Sequence, residues 1–133
     1  MSESYPIGDV ADRLGLSIDA LRYYERIGVV PRAARDAGGR RRYNVDDLHL
    51  LEVLIHLRDT GMPLAEIAEF TRLVQKDPDG VPERLALLRT HREAIAEQIA
   101  RLTRSMRVID GKIDDYTERL GPAESRMRKG QSA

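Results

Sequence analysis

Residues 81–120 carry a seven-residue repeat of apolar side chains, and this repeat limits the possible folds more than any other feature. Two sets of positions recur with alternating spacings of three and four residues, the heptad pattern of a coiled coil. One set is Leu85, Arg92, Ile99, Met106, Ile113 and Leu120, and the other is Val81, Leu88, Ile95, Leu102, Ile109 and Tyr116. All of these except Arg92 are apolar, so the repeat predicts one long helix with an apolar stripe.

This helix needs a partner. Residues 81–120 would form a helix roughly 60 Å long, which the rest of the chain is too small to cover. A monomeric bundle is the alternative, but no second helix of similar length is predicted. A second copy is the simplest partner. We therefore expect a homodimer held by Leu85, Leu88, Ile95, Ile99, Leu102, Met106, Ile109, Ile113, Tyr116 and Leu120.

A second feature is the arginine-rich stretch from Leu21 to Tyr43. It holds seven arginines, two acids, three tyrosines and the pair Gly38–Gly39, in a chain whose formal net charge is zero. Positive charge gathered beside aromatic rings is typical of a surface that binds phosphates. The alternative is an ordinary solvated basic loop.

Two short helices are predicted at the start of the chain. Residues from Ile7 to Leu14 repeat at helical spacing, and a glycine follows. Ser17 can then cap a second helix that covers Ile18 to about Arg26. A helix, a short glycine-containing turn and another helix form the helix-turn-helix pattern, although an ordinary helical hairpin would look the same.

The stretch after the second helix is predicted to form a small β-hairpin, or wing. Gly38 and Gly39 permit the positive φ angles of a tight turn, and the arginines fall on the returning strand. Asn44 can cap a third helix to Thr60, and a fourth begins at about Pro63. The expected fold is mainly α.

The predicted domain division has four parts. A winged helix-turn-helix domain covers 1–75, a loop covers 76–80, the dimerisation helix covers 81–120, and a flexible tail covers 121–133.

Several classes of protein are disfavoured. The chain has no cysteine, which excludes disulfides and thiolate metal sites. There is no long apolar run and no signal-peptide pattern, so a soluble, cytoplasmic protein without membrane contact is expected. No nucleophile–base pair, metal cluster or phosphate loop is recognisable, so neither an enzyme nor a cofactor is predicted.

Four ordered segments resemble the MerR family of bacterial transcription regulators: IGDVADRLGLS, LRYYERIGVVP, GGRRRY and LRDTGMPLAEI. The resemblance implies a winged helix-turn-helix on an antiparallel coiled-coil dimer that binds double-stranded DNA. It also implies a pseudo-palindromic operator in a long promoter spacer, where the dimer distorts the DNA so that RNA polymerase engages both promoter elements. The alternative is an architectural DNA-binding protein that does not act through polymerase.

The resemblance also implies which residues contact DNA. Arg22 and Tyr24 match contact positions of the recognition helix, and Asp19 occupies a slot that faces the bases. Tyr23 is expected to pack instead of reaching outwards. The full predicted set is Ser17, Asp19, Arg22, Tyr23, Tyr24, Arg35, Arg40, Arg41, Arg42 and Tyr43.

The segment from His56 to Met62 is similar to the branch of the family that responds to aldehydes and nitrosative stress. That branch carries a cysteine where this chain has His56, so alkylation or nitrosation of a thiol cannot be the trigger here. A packed or capping histidine is favoured over a sensor or ligand. No small-molecule effector is predicted, and its existence stays open.

Overall fold

The computed structural model describes the backbone of residues 3–131 and the side chains of residues 3–121. Residues 132 and 133 of the predicted tail lie outside the described residues. The elements in chain order are β1 (Tyr5–Pro6), α1 (Ile7–Leu14), α2 (Ile18–Arg26), β2 (Ala34–Arg35), β3 (Arg41–Tyr43), α3 (Val45–Asp59), α4 (Leu64–Val74) and α5 (Val81–Gln131). Two compact units divide the chain between His91 and Arg92. We call residues 3–91 the head and residues 92–131 the C-terminal segment.

The helices of the head begin where the sequence offers caps. The Ser17 hydroxyl accepts a hydrogen bond from the Ala20 amide at 3.0 Å and so starts α2. Asn44 and Asp47 form a capping box at the start of α3, in which each side chain accepts from the backbone amide of the other. Local side-chain chemistry therefore sets these boundaries, as the sequence predicted.

The wing is part of a three-stranded antiparallel sheet with the order β1-β3-β2. The hairpin of β2 and β3 was predicted, and in its register Arg35 lies opposite Arg41. The third strand was not predicted, because Tyr5–Pro6 is too short to show a strand pattern. It pairs Tyr5 with Tyr43 and thereby anchors the beginning of the chain to the wing.

The core of the head is contributed by every helix of the head. Val10 of α1, Leu21 of α2, Leu54 of α3 and Ile67 of α4 are all fully buried. A buried hydrogen bond adds to this packing, because the Thr71 hydroxyl donates to the Val29 carbonyl at 2.6 Å. This bond joins α4 to the chain that leaves α2 and leads into the wing.

The C-terminal segment has a different character. Its heptad side chains are open to solvent within one chain: Ile99 is 60% exposed, Leu102 67% and Ile109 58%. The backbone stays helical to Gln131 except at Gly121, where φ is 80° and ψ is 176°. The predicted long helix is therefore present, with its apolar stripe uncovered. None of the described helices is both long and apolar enough to cross a membrane.

Candidate nucleic-acid interface

The recognition helix α2 presents charge from its first turns. Asp19 and Arg22 lie one turn apart on its exposed surface, with 3.8 Å between their charged groups, and their side chains are 96% and 53% exposed. An exposed pair at this separation is weak. Arg22 can therefore exchange its partner for a phosphate at small cost.

The two tyrosines of α2 have opposite environments. Tyr23 is 45% exposed and lies beneath the Arg26 guanidinium, which sits 5.4 Å from the ring centre. Tyr24 is partly buried against the core, and its hydroxyl accepts a hydrogen bond from Arg58 of α3 at 3.1 Å. The expectation that Tyr23 packs was wrong, because α2 turns the following tyrosine towards the core instead.

The tip of the wing is closed by Asp36. One carboxylate oxygen accepts from the amides of Gly38 at 2.9 Å and Arg40 at 3.0 Å. The hydrogen bond from the Arg40 amide is the main reason that the pKa of Asp36 lies below its ordinary value, and the bond from Gly38 adds to it. Both bonds favour the charged form of the carboxylate. Gly39 has a φ of 78°, the left-handed conformation that glycine adopts without strain. Arg35 also supports the turn by donating to the Gly39 carbonyl at 2.7 Å.

The three successive arginines of the wing have three different roles in packing. Arg40 is exposed at the start of the returning strand. Arg41 is only 20% exposed and pairs with Glu25 of α2. Arg42 reaches back to Ser4, donating to its hydroxyl and its carbonyl at 2.9 Å each. The run of like residues therefore does not form a uniform positive surface.

Tyr43 ends the same strand inside the core and is only 2% exposed. Among the described residues its buried hydroxyl has no hydrogen-bond partner. Burial, followed by the nearby Glu25 carboxylate, raises the pKa of Tyr43, so the hydroxyl stays neutral at physiological pH. A DNA contact from Tyr43 would require this side chain to leave the core.

A positively charged cleft of about 530 Å³ lies between α2 and the wing. Its lining consists of Arg22, Glu25, Arg26, Arg32, Ala33, Arg35 and Arg41. Five of these residues are arginines, and their sole acid, Glu25, already has an arginine partner. A cleft of this size and charge suits the phosphates of a nucleic-acid backbone.

Four cleft residues were missing from the predicted site: Glu25, Arg26, Arg32 and Ala33. Arg26 and Arg32 belong to the arginine-rich stretch, so their charge was visible, but nothing in the sequence separated them from solvated arginines. Glu25 had no signal of its own. Its position becomes informative only after the wing folds back onto α2.

The histidines do not assemble into a site. His56 and His49 are exposed on α3. His91 lies 2.7 Å from the Thr60 hydroxyl, which itself donates to the His56 carbonyl. Within residues 3–121, no group of three or more His, Asp or Glu side chains is arranged to hold a metal ion.

Comparison with protein families gives two matches that together span residues 5–112. A family described as "MerR HTH family regulatory protein" matches residues 5–73, and one described as "MerR, DNA binding" matches residues 48–112. An uncharacterised HTH-type transcriptional regulator of Haemophilus influenzae is 33% identical over 113 residues, which is 85% of this chain and 84% of that protein. Relatives of this kind are transcriptional regulators and not enzymes.

Solved structures agree with these sequence matches. HiNmlR, a MerR family regulator lacking the sensor domain and crystallised on promoter DNA, is 32% identical, with a TM-score of 0.78 over 87% of this chain and 92% of that one. A MerR family regulator from Bacillus thuringiensis is 29% identical, with a TM-score of 0.77 over 85% and 99% of the two chains. The predicted winged helix-turn-helix fold with a long C-terminal helix is thereby confirmed.

Proposed function

Because this chain belongs to the MerR family of DNA-binding transcriptional regulators, we propose that it acts as a homodimer on a promoter. The dimer binds a pseudo-palindromic operator inside the promoter spacer. It distorts the DNA there and so controls how RNA polymerase initiates transcription. The exposed heptad stripe of the C-terminal segment is the observation that carries this proposal.

Dimerisation follows from that stripe. Ile99, Met106 and Ile113 expose 60%, 60% and 52% of their surface, although apolar side chains at such regular spacing are usually covered. A second copy offers the same stripe, so an antiparallel pair would cover both. The Arg92 position can place its charge near the edge of such a seam by extending its long side chain.

DNA contact is assigned to the arginines that the head leaves available. Arg22, Arg35 and Arg40 have exposed side chains, and the charged cleft lies between the two elements that carry them. Their contacts would supply affinity that depends on salt and little on sequence. Ser17 and Asp19, at the beginning of α2, lie where a recognition helix meets base edges.

Distortion of the DNA is the consequence of joining two heads in one dimer. Each head binds one half-site, and the dimer fixes the distance between them. DNA whose half-sites do not match that distance must bend or untwist, and the cost depends on the spacer sequence. A polymerase that meets a spacer of unsuitable length could then reach both promoter elements only on the distorted DNA.

The test combines footprinting with transcription in vitro. Footprinting on the promoter of its own gene should show one protected, roughly palindromic site within the spacer. Transcription from that promoter should change when the protein is added, and shortening the spacer to an ordinary length should remove the change. A protein that shows no sequence-selective binding at physiological salt would refute the proposal.

An architectural role is the second candidate, because the same charged cleft would serve it. An architectural protein would bend DNA without altering polymerase output. Equal transcription from long-spacer and ordinary templates, with binding intact, would favour that role.

A further inference from the structure

We propose that Glu25 is a positioning residue that determines the DNA specificity of the head. Its carboxylate holds the wing against the recognition helix and keeps Arg41 away from phosphates. This inference rests on the proposed DNA-contact surface. It gives Arg41 the role of holding the wing in position, in place of the predicted contact with DNA.

The geometry of the pair is that of a two-point clamp. Arg41 donates from its Nε to both oxygens of Glu25, at 3.3 and 3.2 Å, and from its Nη2 to one of them at 3.3 Å. The backbone amide of Ala33 donates to the same carboxylate at 3.3 Å. The side chains of Glu25 and Arg41 are only 11% and 20% exposed. Their attraction is therefore screened less by water than that of a surface pair.

The clamp connects three separate parts of the interface. Glu25 lies in the last turn of α2, Ala33 immediately precedes β2, and Arg41 begins β3. The Asp36 turn closes the hairpin at its tip through hydrogen bonds within the hairpin. Glu25 can set the angle between the hairpin and the recognition helix, because it binds the residue before β2 and the first residue of β3.

The same carboxylate divides the arginines of the cleft into two groups. Arg22, Arg26, Arg32 and Arg35 are exposed and line the cleft, in which Glu25 is the one acid. Arg22 has only its weak, exposed pair with Asp19. Arg41 is largely covered and already engaged by Glu25. An arginine held in this way directs its Nε and Nη2 to the carboxylate, which balances its charge, so it can offer a phosphate its full charge only by giving up those bonds.

Specificity depends on both effects. Base contacts require a fixed orientation of α2 relative to the wing, whereas phosphate contacts add affinity on any sequence. Neutralising Glu25 loosens the orientation and releases one more cation. Operator binding should weaken while binding to random DNA tightens, so the ratio of the two affinities should fall by roughly tenfold, the effect of about one misread base pair.

The experiment uses the full chain and two DNA probes. One is a short duplex of random sequence, and the other is a duplex enriched from a random library by repeated selection on the wild-type protein. Binding is measured over a range of salt concentrations for wild type, Glu25→Gln, Arg41→Gln, and the double variant. Arg40→Gln is the matched control, because it removes an exposed arginine from the adjacent position of the wing.

The slope of log affinity against log salt concentration distinguishes a clamp from a contact. For each bound head, Glu25→Gln should steepen the slope by about 0.9, since one more phosphate is neutralised. The double variant should return to the wild-type slope, and Arg40→Gln should flatten it by about 0.9. A purely structural role for Glu25 would weaken binding without steepening the slope.

Two outcomes would overturn the proposal. The first is a double variant whose slope is flatter than wild type by the same amount as Arg40→Gln, because Arg41 would then be a phosphate contact. The second is a Glu25→Gln protein with unchanged slope and unchanged specificity. If Glu25→Gln does not fold, as judged by its circular dichroism melt, the double variant still decides the question. Failure of the selection to enrich any sequence would count against the proposed operator recognition, while the slopes on random DNA would still test the clamp.

Discussion

The head and the C-terminal segment treat their apolar side chains in opposite ways. In the head, Leu21, Leu54 and Ile67 are fully buried by the other elements of the same chain. In the C-terminal segment, Leu102 and Ile109 are 67% and 58% exposed, although they occupy regular heptad positions. The core of the head is covered by the head itself. The heptad stripe stays exposed within one chain, both in the C-terminal segment and at Leu85 and Leu88 of the head, which are 44% and 36% exposed.

This contrast separates two sources of stability. The stability of the head depends on contacts within one chain and should be independent of concentration. The stability of the C-terminal segment should depend on a second copy, and so on protein concentration. Substitutions in the two regions test that distinction, and the largest effect is expected in the heptad stripe.

A charged side chain in the heptad stripe is expected to weaken the dimer more than any other single substitution. Ile109→Glu would place a carboxylate in the proposed seam twice per dimer. An unpaired buried charge costs several kcal/mol, so the dissociation constant of the dimer should rise at least about 1000-fold, at about 1.4 kcal/mol per tenfold. Analytical ultracentrifugation measures the change.

The adjacent residue supplies the control. Val108 is 75% exposed and lies off the heptad positions, so Val108→Glu should leave the dimer intact. Dissociation by both variants alike would show that general charge, and not the seam, controls assembly.

The stability contributed by a single hydrogen bond can be compared between the two regions at Thr71 and Thr103. Thr71 is 3% exposed and donates to the buried Val29 carbonyl, whereas Thr103 donates to the Ile99 carbonyl on an exposed helix surface. Thr71→Val leaves a buried carbonyl without its partner and should lower the free energy of unfolding by about 1–3 kcal/mol. Thr103→Val should change it by less than about 0.5 kcal/mol.

Denaturant titrations at one fixed protein concentration measure both threonine variants. Equal losses for the two would mean that burial does not distinguish the head from the C-terminal segment.

Substitution of Tyr43 should have a smaller effect on stability, in the stabilising direction. Tyr43→Phe removes a buried hydroxyl that has no partner among the described residues. The free energy of unfolding should stay constant or rise by up to about 1 kcal/mol, because an unsatisfied buried group is itself a cost. DNA affinity should not change, since the side chain is in the core. Reduced DNA affinity in a Tyr43→Phe protein of unchanged stability would instead support the predicted contact between Tyr43 and DNA.

The smallest effect is the pH dependence of the wing tip. The folded wing lowers the pKa of Asp36, so its contribution is complete above the pKa of the unfolded chain, about 3.9. That contribution is lost as the pH falls through the still lower pKa of the folded state. NMR signals of the Gly38 and Arg40 amides should shift in this acidic range.

Asp36→Asn provides the comparison for the acid titration, because it keeps an oxygen that can accept both hydrogen bonds but does not ionise in this range. It should abolish the shift. A shift that persists in Asp36→Asn would have to come from another group.

The helix boundaries and the heptad stripe could be predicted because both are local. Ser17 and Asn44 cap the helices that immediately follow them, and a spacing of three and four residues requires no knowledge of distant contacts. The wing hairpin was predictable for the same reason, since Gly38 and Gly39 mark its turn. The proposed division at residues 75, 80 and 120 stays a prediction.

The arrangement of side chains at the proposed DNA interface could not be predicted from local sequence. Tyr23 and Tyr24 are neighbours about 100° apart around α2, so the partner elements decide which of them packs. Arg41 meets Glu25 across 16 positions of sequence, and Arg42 meets Ser4 across 38. Three identical arginines in a row give no local sign of which one is engaged.

The repeat, the caps, the turn and the charge can be read from the amino-acid sequence, because each acts over a few residues or adds up over a segment. The burial of Tyr43 and the pairing of Arg41 with Glu25 follow from tertiary packing instead. Such pairings depend on how α2 and the wing pack together. That packing is a collective result of the whole core, which no single segment encodes.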